Sequence, residues 1–148
     1  MLARLTETVV HMLDCISATA LSRDARPAHQ QTGRRGEEAA YFFQRKRGYV
    51  MVARNYRSAR RRGEVDLIGW DRDVLCFIEV KTRTSRNVKP PGAAVDSDKK
   101  RELAGMAREY MGRLPAPVQW RFDVVSVSYQ SARTQPIIEL FKNAFAVS

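Results

Sequence analysis

Cysteine and histidine are nearly missing from this chain, two of each in 148 residues. Cys15 lies in an N-terminal apolar stretch and Cys76 amid Leu75, Phe77 and Ile78, so the pair makes no disulfide framework and fits a reducing compartment. His11 and Cys15 stand four apart on a helical pattern, yet a structural zinc site takes four ligands and these are two. No apolar run approaches the roughly 20 residues of a membrane span. Acids and a histidine interrupt the apolar part of "MLARLTETVVHMLDCISATALSRDARPA", which makes it a poor secretory signal. The expectation is a cytoplasmic protein without a membrane partner. There is no internal repeat to imply a solenoid.

Acidic residues are also short, 16 against 26 lysines and arginines, leaving a net charge of +10. An enzyme of neutral metabolites has no need for that surplus, whereas a polyanionic partner does. The excess is local: from Arg34 to Arg62 there are ten basic residues and two acids, Glu37 and Glu38. With 44% hydrophobic and 28% charged residues, the composition is that of one packed domain.

Met1 to Leu21 carries apolar residues at helical spacing, and "SRDARPAHQQTGRRG" then loses all periodicity. Residues 1–32 therefore read as a peripheral helix and flexible linker, and 33–148 as the domain proper. Gly36 to Arg47 predicts a helix turning Ala39, Ala40, Phe42 and Phe43 inward, with Gly48 as its C-terminal cap. Tyr49 to Tyr56 reads as a strand, "RSARRRG" as a basic connection, and Glu64 to Trp70 with Val74 to Thr82 as a hairpin. Pro90, Pro91 and Gly92 mark a loop. Asp96 or Ser97 caps a helix running to Leu114, which Pro115 and Pro117 end. Strands follow at Val118 to Val127 and Ile137 to Phe141, then a short helix over Lys142 to Ala146. This order predicts an α/β fold, a central mixed β-sheet flanked by helices.

The hairpin "GEVDLIGWDRDVLCFIEVKTR" carries Asp66, Glu79 and Lys81 where a plain buried hairpin has none. Alternation puts Cys76, Ile78 and Val80 on a core face and Phe77, Glu79 and Lys81 on the other. A turn symmetric about Arg72 and Asp73 sets Asp66 directly opposite Glu79. Carboxylates so paired, about 5 Å apart at Cβ, repel unless something positive lies between them. Lys81 is one answer and a divalent cation the other. Oxygen ligands of this kind suit Mg2+ or Mn2+, with substrate phosphate in the remaining positions, and a nearby ammonium offsets charge growing on a phosphoryl oxygen. The plain reading is an exposed sheet face with a solvated ion pair of little energetic weight. The matching parity, the apolar alternate face and the basic segment upstream favour a site.

Asp then "EVK" on a hairpin, after a glutamate-bearing helix, resembles the PD-(D/E)XK nuclease superfamily and its restriction-endonuclease-like core. More closely, "GRRGEEAAYFFQRKRGYVMVARNYR", "GEVDLI", "FIEVKTR" and "WRFDVV" resemble the YraN family of small bacterial proteins, similar in core to archaeal Holliday-junction resolvases. The likeness runs from Gly33 to Phe145. It implies catalytic roles for Glu37, Asp66, Glu79 and Lys81, and a metal held by Asp66, Glu79 and the Val80 carbonyl. Glu37 would assist directly or through water, with Glu38 the competing choice. Where the family has lysine followed by glutamine, this chain has Lys99 and Lys100. Arg54, Arg57, Arg60, Arg61, Arg62, Arg83 and Lys99 are the candidates for phosphate contacts, and Tyr56 and Trp70 for base stacking. The expectation is a metal-dependent nuclease acting on DNA or structured nucleic acid, with DNA favoured over RNA as the partner, and a homodimer if both strands of a junction are cut. The alternative is a non-catalytic nucleic-acid-binding or assembly module keeping the same fold.

Overall fold

Turn chemistry and strand alternation build the sheet. In the computed structural model, which describes residues 28–84, 96–131 and 133–146, the elements run α1 (Ala28–Lys46), β1 (Val50–Tyr56), β2 (Val65–Asp71), β3 (Val74–Thr84), α2 (Ser97–Met111), β4 (Gln119–Tyr129) and β5 (Ile137–Phe141). The chain divides into two units, Met1–Gln31 and Thr32–Ser148. Of the first, only the opening turn of α1 is described; the helix expected over Met1 to Leu21, with His11 and Cys15, and the loop at Pro90 to Gly92 lie outside the described residues.

In the second unit the five strands form one mixed sheet in the order β1-β2-β3-β4-β5. All neighbours are antiparallel except β3 and β4, which run parallel from Val74↔Gln119 to Thr84↔Tyr129. A parallel pair needs a crossover, and α2 lies in it. The β2–β3 hairpin closes at Asp71↔Val74, with Arg72 at the positive φ (56°) that a two-residue loop demands, and keeps the expected register to Leu67↔Ile78.

The helices seal two apolar layers. Ile68, Leu75, Phe77, Phe122 and Val124 pack with Leu103, Met106 and Ala107 of α2, while Leu67, Cys76, Ile78, Val80, Val125 and Val127 pack with Ala40 of α1. Both faces of β3 are therefore core, where sequence alternation assigned the apolar role to one. Parallel sheets are commonly covered on both sides, and Phe77 belongs to that second cover.

Two expectations need correction. The segment read as linker is helical from Ala28; its first turns are exposed, so they carry no apolar periodicity, and glutamine and arginine are good helix formers. The helix expected over Lys142 to Ala146 is absent: Asn143 takes φ 50°, its N–H donates to Asp123, and the Ala144 N–H donates to the Phe122 carbonyl at 2.9 Å. Those bonds tie the segment to β4, where Phe145 stacks on Phe122 with ring centres 4.7 Å apart.

Candidate active site

The β2–β3 ladder ends one step short of the acidic pair. Beyond Leu67↔Ile78 the next partners would be Asp66 and Glu79, but there the Asp66 carboxylate takes a backbone donor itself, Oδ2 accepting from the Val80 N–H at 2.7 Å. Alternation also slips at this point, since Val65 packs in the cluster of Ile68 and Leu67 in the opposite one. The slip turns Asp66 in toward β3. Asp66 is 8% and Glu79 5% exposed, so both carboxylates are held away from water.

Charge compensation falls unevenly on Glu79. Lys81 Nζ donates to Oε1 at 3.0 Å and Lys99 Nζ, from the first turn of α2, lies 3.5 Å from the same oxygen. Oε2 is buried and accepts no hydrogen bond among the described residues. The Asp66 carboxyl is pushed up to about 7, first by burial, then by the charge of Glu79 and by Glu37, against the opposing pull of the Val80 N–H and Lys99.

Glu37 reaches the site because α1 passes close to the end of β3. Gly36 is buried, and a methyl there would overlap the Thr82 side chain. Asn55 Nδ2 donates to Glu37 Oε2 at 3.0 Å, and Asn55 holds a φ of 48° at the end of β1. Of the two glutamates left open by the sequence, Glu37 is bonded by Asn55 and adds its charge to the field that raises Asp66. Among the described residues no group of three or more His, Cys, Asp or Glu side chains is arranged to hold a metal. Two carboxylates remain within what Mg2+ uses when waters and phosphate complete its shell, and the orphaned Glu79 oxygen fits a positive ligand.

The predicted basic residues separate into groups. Arg57, Arg60, Arg61 and Arg62 lie on the β1–β2 connection, which folds over α2 where Ser58 Oγ donates to Glu109. Arg61 fills the notch at Gly105, where a methyl would overlap its guanidinium. Two adjoining open grooves result. One, of about 560 Å³, is lined by Arg57, Ser58, Arg61, Gly63, Glu64 and Lys99. The other, of about 700 Å³, lies among Arg60, Arg61, Arg62, Glu102, Arg108 and Glu109. Arg57 is paired with Glu64 at 2.8 Å. Arg54 stands elsewhere, over the Tyr41 ring of α1 at 4.8 Å, and Arg83 is half-buried two residues beyond Lys81 on β3. Tyr56 and Trp70 pack against the core, Tyr56 edge-on to Tyr110 at 5.2 Å, which leaves neither as an open stacking platform.

Sequence reasoning missed Asn55, Arg108 and the contact of Lys99 with Glu79. Arg108 was legible as a cation on the exposed face of α2; the other two depend on a left-handed residue and on a tertiary contact between α2 and β3, which pattern does not reveal.

"WRFDVV" serves a second polar cluster at the opposite end of β3. Arg121 bonds Asp123 at 2.8 Å, Asp71 at 2.6 Å and the Tyr49 hydroxyl at 3.0 Å, and Lys142 reaches Asp71 at 2.7 Å. Lys142 foremost, then Arg121, holds the Asp71 carboxyl down at about 2. Burial pushes the neighbouring Cys76 thiol up to about 12, so it is an inert core group.

The sequence profile of the uncharacterised protein family UPF0102 matches residues 36–127, a span that holds Glu37, Asp66, Glu79, Lys81, Lys99 and Asp123. The UPF0102 protein of Koribacter versatilis is 46% identical over 143 residues, covering 97% of this chain and 96% of that one. That of Solibacter usitatus is 46% identical over 116 residues, 76% and 84% of the two chains. That of Symbiobacterium thermophilum is 48% identical over 99 residues, 66% and 82%. The chain belongs to the UPF0102 (YraN) family.

Proposed function

We propose that this protein hydrolyses phosphodiester bonds in DNA or structured nucleic acid, with Mg2+ or Mn2+ held by Asp66, Glu79 and the Val80 carbonyl. The observation that carries the reading is the buried carboxylate pair with one oxygen lacking a donor among the described residues and two ammonium groups crowded on another. Two buried acids repel, and a divalent cation relieves both the repulsion and the orphaned oxygen. Bound there, the cation supplies Lewis-acid polarisation of the phosphoryl group and makes water a stronger acid.

The chain's own residues divide the remaining work. The Val80 N–H fixes the Asp66 carboxylate. Lys81 Nζ donates to a phosphoryl oxygen and stabilises the charge that grows on it. Glu37, oriented by Asn55, orders water on the open side of Asp66. Arg57, Arg60, Arg61, Arg62 and Lys99 bind backbone phosphates along the grooves, which gives affinity without reading sequence. Cutting both strands of a junction calls for two copies of the chain.

Nicking of supercoiled plasmid and of branched DNA, with Mg2+, Mn2+ or chelator, tests this in the wild type, Asp66→Ala and Lys81→Ala. Cation-dependent nicking lost in both variants is expected. Salt-sensitive binding retained in all three, with no cleavage under any condition, would mean a binding module instead.

A further inference from the structure

We infer that Lys99 holds the cation site in a low-affinity state until an anion in the basic groove draws it away from Glu79; this rests on the reading of the acidic pair as a cation site. Lys99 occupies two places at once. Its ammonium lies on Glu79 Oε1, the oxygen already bonded by Lys81, and its side chain also lines the groove of Arg57, Arg61 and Glu64. The backbone beneath it is fixed, because the Lys99 N–H donates to the capping Asp96 carboxylate at 2.8 Å.

One ammonium cannot pair at full strength with a buried carboxylate and with a groove phosphate together. A divalent ion approaching Glu79 with Lys99 in place meets two positive charges within ion-pair distance of one ligand oxygen. A phosphate in the groove removes one of them. Lys81 stays behind, since it is only two residues along the same strand from Glu79. The gate thus makes cation uptake follow nucleic-acid engagement, and by linkage each tightens the other. Lys100, next in sequence, points elsewhere, 5.5 Å over the Phe145 ring, and so provides a control of equal charge.

Calorimetric titration of Mn2+ into the full chain, without nucleic acid and at constant ionic strength, tests the gate in the wild type and in Lys99→Gln, Lys99→Arg and Lys100→Gln. Lys99→Gln should bind at least about fivefold tighter than the wild type, with the other two within about twofold of it. Replacing chloride by sulfate at equal ionic strength should tighten Mn2+ binding in the wild type and leave Lys99→Gln unchanged. Measurable wild-type binding with Lys99→Gln equal to or weaker than Lys100→Gln would overturn the gate while leaving the cation site standing. No sulfate effect on the wild type would overturn its link to the groove. Absence of binding in every protein would overturn the gate and the cation site together.

Discussion

Asp66 shows how burial and like charge act on one side chain. Its carboxyl, raised to about 7 chiefly by burial, stays protonated in the folded chain through a range where the unfolded chain has already lost that proton. Its contribution to stability is therefore greatest below about pH 4 and declines as pH rises to about 7, by up to about 1.4 kcal/mol per pH unit. Denaturant unfolding between pH 5 and 8 should show this decline in the wild type and not in Asp66→Asn, and Mg2+ should stabilise more at pH 8 than at pH 5. A slope that Asp66→Asn leaves intact would place the titrating group elsewhere. Asp71 acts in the opposite sense: its depressed carboxyl contributes stability above about pH 4 that is lost as pH falls through about 2. At this scale Glu79 and Lys81 were legible because parity along β3 is a property of sequence. The seat of Asp66 on the Val80 N–H, in place of a direct pairing with Glu79, was not, because the ladder ends and the alternation slips there. Asn55 was not, because its part depends on a positive φ that nothing local demands.

Among elements, β3 joins the two polar centres, with Glu79 and Lys81 toward one end and Cys76, beside the Arg121 cluster, toward the other. Asp123 is fully buried; its Oδ1 accepts from the Arg121 guanidinium, which offsets its charge, and from the Asn143 N–H, which fastens the segment after β5 to β4, while Oδ2 accepts no hydrogen bond among the described residues. Arg121→Ala leaves that carboxylate uncompensated and should cost about 3 to 5 kcal/mol. Chemical denaturation measures it, and a loss under 1 kcal/mol would show the network to be incidental. The succession of strands along the chain and the start of α2 followed from alternation, prolines and the Asp96 cap. The first turns of α1 did not, because exposed helix has no apolar period to read; nor did the C-terminal segment, whose short apolar pattern yields to hydrogen bonds with a strand about 20 residues earlier.

For the whole molecule, the +10 surplus was plain in the composition, but its distribution over the surface was not. Arg57 to Arg62 gather against α2, while Arg54 stands over Tyr41 of α1. Duplex binding should therefore weaken steeply with salt. Replacing Arg61 and Arg62 by Gln should reduce the slope of log K against log salt by about 1 to 2, and Arg54→Gln should change it by less than about 0.5. Fluorescence anisotropy across a salt series measures both, and equal effects would refute a groove confined to the α2 side.

Anomalous diffraction from crystals grown with Mn2+ tests whether Asp66 and Glu79 hold the proposed divalent cation. A single strong peak within coordination distance of both carboxylates, absent from Asp66→Asn crystals, is the predicted result. Manganese bound elsewhere, or no peak beside the pair even in Lys99→Gln crystals, would contradict that proposal.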